Sequence, residues 1–194
     1  MSASIIEIPS TEAPMALLLL ADPSERKVRG YLPAARCFAA LLDGGIAGVC
    51  AVVPLGPGRH ELMNIAVDPA RQQRGIGTRL LAHVIDTCRR EGAARLEVGT
   101  GAFGYQLAFY QRHGFRVFQV ERDFFLRHYD EAIVEDGIQH RDMLRLAIDY
   151  RRPLRPQTSS VGSVQAPASL SAGAEHAQSQ MLLEGIEITV AVEQ

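Results

Sequence analysis

The feature that most constrains this fold is a long amphipathic helix set between two strand-like stretches. Ile76, Leu80, Val84 and Cys88 follow one another at intervals of four residues, which predicts a helix with one apolar face. The residues before it, HELMNIAV, and after it, ARLEV, are typical of strands. Such a strand–helix–strand order predicts a crossover connection, which is right-handed when the two strands are parallel neighbours.

An antiparallel meander is predicted upstream of this helix. Two apolar runs, CFAALL and IAGVCAVV, flank the turn DGG, and HELMNIAV supplies a third strand. The strand-like SIIEI near the N-terminus precedes two short helical stretches. Downstream, GYQLAFYQRH predicts a shorter helix, and FRVFQV and MLRLAI predict two more strands. The expected fold class is α/β (α+β) with a mixed central sheet, a central crossover helix and helices on both faces.

The chain divides into three parts by composition. Residues 1–150 hold the patterned segments described above and are expected to form one domain. Most of 151–180 is rich in Ser, Ala, Gln and Gly, which predicts a flexible linker. Residues 181–194 contain the strand-like GIEITVAVEQ, whose role stays open between pairing with a sheet edge and a frayed tail.

Composition excludes several classes of function. A net charge of −2 argues against a dedicated nucleic-acid binder. Cys37, Cys50 and Cys88 form no CxxC pair, so buried free thiols are expected rather than disulfides or a metal site. The apolar run MALLLLA is too short to span a membrane, and no basic start marks a secretory signal. The protein is therefore expected in the cytoplasm, without a membrane or metal partner.

Two glycines and several basic residues stand at the mouth of the long helix, in RQQRGIG (Arg71–Gly77). A helix N-terminus presents N–H groups and a partial positive charge, and glycine lets a ligand approach the backbone. The stretch therefore predicts an anion cradle, most naturally for phosphate. It is not a P-loop, and Leu80 replaces the third glycine of the dinucleotide fingerprint. The alternative is a loop of turn glycines and solvated arginines.

Three separated motifs resemble the GNAT superfamily of N-acetyltransferases. QQRGIG is similar to the family's Q/R-x-x-G-x-G/A loop, NIAVDP to the strand before that loop, and FYQRHGF to the family's second motif. The order of elements agrees from about Ile5 to Tyr150. RDFFLRHY and RDMLRL also resemble segments of a group of small bacterial GNAT proteins. The resemblance implies a GNAT-like fold and direct transfer of an acetyl group from acetyl-CoA to a primary amine in a ternary complex.

The resemblance also assigns residues to acetyl-CoA, the acyl-donor substrate. The backbone of Ile65, Ala66 and Val67 is expected to pair with the pantetheine arm and to polarise the thioester carbonyl. Arg71, Arg74 and Arg79 are candidates for phosphate contacts, the alternative for each being a solvated helix face. The pyrophosphate is expected to lie against the loop and first helical turn, made of Gln72, Gln73, Arg74, Gly75, Ile76, Gly77 and Thr78.

Tyr110 is the expected catalytic acid, because it stands where the family has its catalytic tyrosine. A phenol with a pKa of about 10 holds its proton at neutral pH and can protonate a departing thiolate. The alternative is a core aromatic. The asparagine common in the family's second motif is missing from GTGAFGYQ, and Gln106 is the candidate replacement.

Glu61 is the expected base, because several family members carry a base at this position before the NIAV strand. The alternative is an ordinary exposed strand residue, and His60 and Glu97 are weaker candidates. Strand alternation predicts that Glu61 and Met63 share one face, with Leu62 and Asn64 on the other.

An acidic segment, residues 122–142, is expected to border the acceptor pocket, as the corresponding region often does in the family. It predicts a cationic acceptor, either a small amine or a lysine side chain. Interspersed arginines leave open the alternative of a self-paired solvated loop. The acidic residues are Asp123, Asp130, Glu131, Glu135 and Asp136.

Three other functions stay open from the sequence. The chain could be a catalytically silent acyl-CoA-binding regulatory module, an acyltransferase that uses another acyl-CoA, or a domain unrelated to CoA whose glycines are only turns. A homodimer is also expected, since members of the family are often dimers.

Overall fold

The computed structural model describes residues 3–150, whose strands form one seven-stranded sheet and a separate hairpin. The sheet order is β1-β2-β3-β4-β5-β9-β6, and β7 pairs with β8. The linker and C-terminal segment predicted for 151–194 lie outside the described residues. The strands are β1 (Ser4–Ile8), β2 (Arg36–Leu42), β3 (Gly45–Gly56), β4 (Arg59–Val67), β5 (Arg95–Gly101), β6 (Arg116–Glu121), β7 (Val134–Glu135), β8 (Ile138–Gln139) and β9 (Met143–Asp149).

The sheet is mixed, as the sequence predicts. β1 to β4 form an antiparallel meander, and β4 pairs in parallel with β5. β9 is antiparallel to both β5 and β6. The strand–helix–strand crossover expected from the apolar pattern therefore joins β4 to β5.

Helices cover both faces of this sheet. The helices are α1 (Met15–Ala21), α2 (Glu25–Tyr31), α3 (Ile76–Arg90), α4 (Tyr105–Arg112) and α5 (Phe124–His128). The apolar stripe of α3 and the aromatic residues of α4 pack in one core cluster with alternate residues of β2 to β5 and β9. α1 and α2 pack in a second cluster against the opposite residues of β2 to β4. The helices thus form one layer on each face of the sheet.

α3 lies very close to β3 at its N-terminal end. A side chain at Gly48 would place its Cβ 3.0 Å from Leu80 Cδ1 and 3.3 Å from Ile76 Cγ2. Only glycine leaves room for this approach. The contact holds the first turn of α3 directly against the sheet, next to the end of β4.

The three cysteines are free and buried. Burial raises the pKa of the Cys37 and Cys88 thiols to about 11, so both stay protonated at neutral pH. Their location agrees with the expectation of structural thiols.

Candidate active site

β4 and β5 separate in the middle of the sheet. Their pairing runs only from Arg59 with Arg95 to Glu61 with Glu97. Beyond Glu61, the stretch Leu62–Val67 is paired with β3 alone among the described strands. In an antiparallel pair, alternate peptide groups point away from the partner, so those of this stretch point into the gap. The residues predicted to pair with pantetheine lie here: Ile65, Ala66 and Val67.

A β-bulge in β4 overturns the predicted alternation of side chains. Ala51 pairs with Asn64 and Val52 with Leu62, so Met63 is an extra residue. Leu62 packs in the core under α3, whereas Asn64 donates hydrogen bonds to α1 and α2 on the opposite side. The prediction that these two residues share a face was therefore wrong, because one inserted residue reverses the pattern beyond it.

The loop before α3 forms a concave backbone around the helix N-terminus. Gln73 has φ 59° and Gly75, the N-cap of α3, has φ 71°. Left-handed residues in a short turn are typical of the backbone at anion-binding nests. The first turn of α3, with Ile76, Gly77 and Thr78, adds its N–H groups and the positive end of the helix dipole. The predicted cradle residues are thus brought together.

The basic residues around the cradle have different surroundings. Arg71 donates to the Leu42 carbonyl at 2.7 Å and lies 3.7 Å from Asp68, so it fastens the loop to the end of β2. Arg74 and Arg79 are exposed and line a cavity of about 270 Å³ beside the helix N-terminus. Their guanidinium groups are the better placed of the three for phosphate. The remaining lining comes from Ala3, Leu42, Asp43 and Ile76.

Gln72 and Gln106 are the two amide side chains expected near the donor. Gln72 Nε2 donates to the Val67 carbonyl at 3.3 Å and links the cradle to the end of β4. Gln106 lies in the first turn of α4 and is half-buried.

Tyr110 is completely buried on the α3 side of the sheet. Its ring packs against Phe109 and Phe115, and its hydroxyl has no hydrogen-bond partner among the described residues. Burial, with a smaller contribution from Cys50, raises the pKa of Tyr110 well above its usual value. Cys50 lies opposite Ile65 across the β3–β4 pair, which puts the phenol near the unpaired stretch of β4. A buried hydroxyl without a partner is costly, and a ligand in the gap would supply one.

Glu61 is buried on the other face of the sheet, so the alternative of an exposed strand residue was wrong. Its carboxylate accepts a hydrogen bond of 2.5 Å from Arg145 Nη1. Burial raises the pKa of Glu61, and the charge of Arg145 opposes that shift. The carboxylate thus combines raised basicity with a fixed position at the last paired residue of β4.

Arg145 joins Glu61 to a wider ionic network. Arg145 Nη2 lies 3.3 Å from the carboxylate of Glu97, which also pairs with Arg59 at 2.7 Å and Arg95 at 3.2 Å. Glu61 and Glu97 are opposite each other across the two parallel strands, and like charges there repel unless a cation joins them. The sequence gives one weak signal for Arg145: a charged residue between Leu144 and Leu146 in an apolar strand.

The acidic segment 122–142 is partly self-paired, as one of the two sequence alternatives holds. Asp123 pairs with Arg141 at 3.2 Å, and Glu135 with His140 at 3.0 Å. Within the segment lie α5 and the β7–β8 hairpin. Asp130, Glu131 and Asp136 are exposed. Outside this segment, the weaker base candidate His60 is half-buried, and its Nδ1 has no hydrogen-bond partner among the described residues.

Two further properties concern residues 3–150. None of the helices in this range is both long enough and apolar enough to cross a membrane. Nor does the range contain a group of three His, Cys, Asp or Glu side chains that could hold a metal ion.

Comparison with known proteins identifies the family of this chain. The acetyltransferase (GNAT) family model matches residues 4–115. The uncharacterized N-acetyltransferase YvbK of Bacillus subtilis is 45% identical over 134 residues, which cover 69% of this chain and 86% of that protein.

Two solved structures extend this similarity to the fold. An IAA acetyltransferase from Bacillus cereus has a TM-score of 0.73 and 44% identity, over 76% of this chain and 99% of that one. A Bacillus subtilis acetyltransferase solved in complex with CoA has a TM-score of 0.70 and 41% identity, over 76% and 98%. The chain therefore belongs to the GNAT family and is an N-acetyltransferase.

Proposed function

We propose that the protein transfers the acetyl group of acetyl-CoA to a primary amine by direct attack in a ternary complex. One observation carries the proposal: the gap between β4 and β5 has the Tyr110 phenol on one face of the sheet and the Glu61 carboxylate on the other. A donor threaded through the gap would have an acid near its sulfur and a base near the incoming amine. The similar Bacillus subtilis structure with CoA supports the identity of the donor.

The donor would be held largely by backbone groups. The pyrophosphate lies against the N-terminus of α3, where Gln72, Gln73, Gly75, Ile76, Gly77 and Thr78 provide the concave turn and Arg74 adds charge. The pantetheine arm pairs with the open edge of β4 at Ile65, Ala66 and Val67, as an added strand would. A peptide N–H directed into the gap near the bulge polarises the thioester carbonyl.

The chemical step exchanges one bond for another. The neutral amine attacks the thioester carbonyl carbon, a C–N bond forms, and the C–S bond breaks. Glu61 takes the proton that the ammonium must lose before attack. Tyr110 gives a proton to the departing thiolate. The nitrogen, positively charged after attack, loses a second proton to solvent as the amide forms, and Tyr110 regains a proton from solvent. Each proton transfer by a positioned group contributes on the order of 10² to 10⁴ in rate.

The acceptor is a small cationic amine or a lysine side chain. Exposed carboxylates on the segment 122–142 support this choice, because they attract a positive charge to the α1 side of the gap. Those that remain outside the described ion pairs are Asp130, Glu131 and Asp136.

Assembly as a homodimer in the cytoplasm completes the proposal. β6 is an edge strand of the sheet and leaves Val117, Phe118 and Val120 between 43% and 52% exposed. Exposed apolar residues on an edge strand favour association with a second copy. Sedimentation of the wild type beside Val120→Glu tests this, and a monomeric wild type would contradict it.

A thiol-release assay tests the proposed function. The protein is incubated with acetyl-CoA, or with succinyl-CoA in a parallel set, together with one amine at a time (ethylamine, spermidine, lysine or glutamate), and free CoA is measured. Release with the cationic amines supports the proposal. Binding of acetyl-CoA without release on any amine would favour a silent module, and release only from succinyl-CoA would favour a different acyl donor.

A further inference from the structure

A buried carboxylate without a full set of partners lies at the C-terminal end of α1. Asp22 caps this helix, and its side chain is completely buried. Its Oδ1 accepts a hydrogen bond of 2.9 Å from the Ser24 N–H. Its Oδ2 is buried and has no hydrogen-bond partner among the described residues. A carboxylate oxygen in this position requires a donor, since burying it alone is costly.

A second buried acceptor lies beside it on β4. Asn64 is completely buried, and its Nδ2 donates to the Leu18 carbonyl and the Tyr31 hydroxyl, each at 3.0 Å. A carbonyl oxygen can only accept, so the contact with Leu18 fixes which end of the amide is nitrogen. Asn64 Oδ1 is therefore the other end, and it too has no partner among the described residues.

One carbonyl brings the two residues together. The Leu18 oxygen accepts from the Asp22 N–H and from Asn64 Nδ2, each at 3.0 Å, so these nitrogens are at most 6.0 Å apart. Asp22 and Asn64 therefore form one buried cluster, which meets at the Leu18 carbonyl and includes both unpartnered oxygens. It consists of acceptors, carries one negative charge, and stands at the negative end of a helix. Such a cluster is suited to a cation that donates N–H hydrogen bonds.

The cluster also lies where the acceptor would meet the donor. Asn64 is in the stretch of β4 that flanks the gap, and it points to the face opposite Tyr110. The carboxylate of Glu61 lies on the same face, three residues earlier in β4.

We propose that Asp22 Oδ2 and Asn64 Oδ1 bind an ammonium group of the acceptor amine. The inference rests on the proposed function and adds the residues that recognise the acceptor. The site takes primary ammonium ions and not quaternary ones, because recognition requires an N–H donor for each oxygen.

Lys27 is a cation whose charge also acts on the Asp22 carboxylate. Lys27 Nζ donates to the His128 carbonyl at 2.9 Å and lies 3.8 Å from the centre of the Tyr129 ring. These contacts connect α2 to the acidic segment 122–142. The Lys27 charge favours ionised Asp22, and Asp22 Oδ2 has no hydrogen-bond partner among the described residues.

Direct binding tests the site without turnover. The full chain is titrated with ethylammonium chloride, and with tetramethylammonium and potassium chloride at equal ionic strength, while its thermal unfolding is followed. The variants are Asp22→Asn, which keeps the side-chain shape, and Asp86→Asn, which removes the same charge from an exposed position on α3. Ethylammonium should stabilise the wild type and Asp86→Asn. Asp22→Asn should need a concentration of ethylammonium about 10- to 100-fold higher for the same stabilisation, because it lacks one charge-assisted hydrogen bond.

Equal stabilisation of Asp22→Asn, or an equal effect of potassium or tetramethylammonium, would overturn the inference. The thiol-release assay with ethylamine separates the two proposals. If Asp22→Asn raises the KM for ethylamine and leaves the KM for acetyl-CoA unchanged, the site is supported. Normal release with an unchanged amine KM would refute the site alone. Asp22-dependent ethylammonium binding without CoA release on any amine would refute the proposed function alone.

Discussion

The guanidinium of Arg145 donates a 2.5 Å hydrogen bond to the carboxylate of Glu61, and both side chains are buried where β4 and β5 part. Arg145 also reaches Glu97, the last β5 residue that is paired with β4. One cation thus holds two opposed carboxylates at the end of the parallel pair, and the strands diverge immediately beyond it. The network fixes both the start of the gap and the orientation of the proposed base.

Arg145→Met should destabilise the fold strongly. Its removal leaves the charges of Glu61 and Glu97 buried without their shared partner, which costs about 3–5 kcal/mol in comparable cases. Urea unfolding measures the loss. The control is Arg141→Met, whose ion pair with Asp123 is exposed and should contribute less than about 1 kcal/mol. Similar losses in both variants would show that the buried network is not what holds these strands.

Glu61→Gln should lower kcat/KM for the amine by about 10²- to 10⁴-fold, because it removes the base. Burial raises the pKa of Glu61, so wild-type activity should fall as the pH drops through that raised value and the base becomes protonated. The acidic limb of the pH profile should disappear in the variant. Glu97→Gln, which touches the same arginine, should keep the limb. Loss of the limb in both variants would indicate a structural role for Glu61.

Tyr110→Phe should lower kcat by a similar factor, because it removes the acid. The variant should also be as stable as the wild type or more stable, since it removes a buried hydroxyl that has no partner. Denaturant unfolding and steady-state kinetics measure the two effects.

Tyr150→Phe is the matched control. It removes the hydrogen bond of 3.0 Å to the Ile85 carbonyl and should cost about 1 kcal/mol of stability, with activity retained. If Tyr110→Phe kept full activity, the buried tyrosine would be only a core aromatic.

Asp22→Asn should change the pH dependence of stability. Burial raises the pKa of Asp22 to about 6 from 3.8, so the native state binds the extra proton between these values. Wild-type stability should therefore fall as the pH rises from about 4 to 6, by up to about 3 kcal/mol. The variant should lack this fall and be the more stable protein at pH 8. Unfolding curves from pH 4 to pH 8 measure it.

The control for that measurement is Asp86→Asn, which removes an exposed charge and should alter stability by less than about 0.5 kcal/mol. A fall of equal size in Asp22→Asn and the wild type would mean that another group causes it.

Most of the fold could be predicted from regular patterns in the sequence. The four-residue spacing from Ile76 to Cys88 depends only on neighbours along the chain, and it predicted both α3 and the face that it buries. The glycine turn before α3 was also predictable, because a glycine N-cap before an amphipathic helix is a local signal. The order in which β9 and β6 follow β5 in the sheet could not be predicted, because it depends on contacts between residues far apart in the sequence.

The residues proposed to act on the acceptor amine could not be predicted from local patterns. The bulge at Met63 reversed the side-chain pattern, so Asn64 faces α1 and not the core under α3. Arg145 and Asp22 each stand beside apolar residues, and their importance comes from partners that lie far away in the sequence. A buried charge is recognised only when its surroundings are known.

Calorimetric titration with acetyl-CoA tests the central claim, that the turn before α3 holds the donor. Gly75 and Gly92 stand at opposite ends of α3, with φ of 71° and 76°, and an added Cβ would meet nothing within 4 Å at either. Valine at either position should therefore strain the backbone to a similar degree, by about 1–2 kcal/mol. We expect acetyl-CoA to bind the wild type and Gly92→Val with equal affinity and Gly75→Val at least about tenfold more weakly. Equal affinity in all three proteins, or no binding to the wild type, would contradict the account.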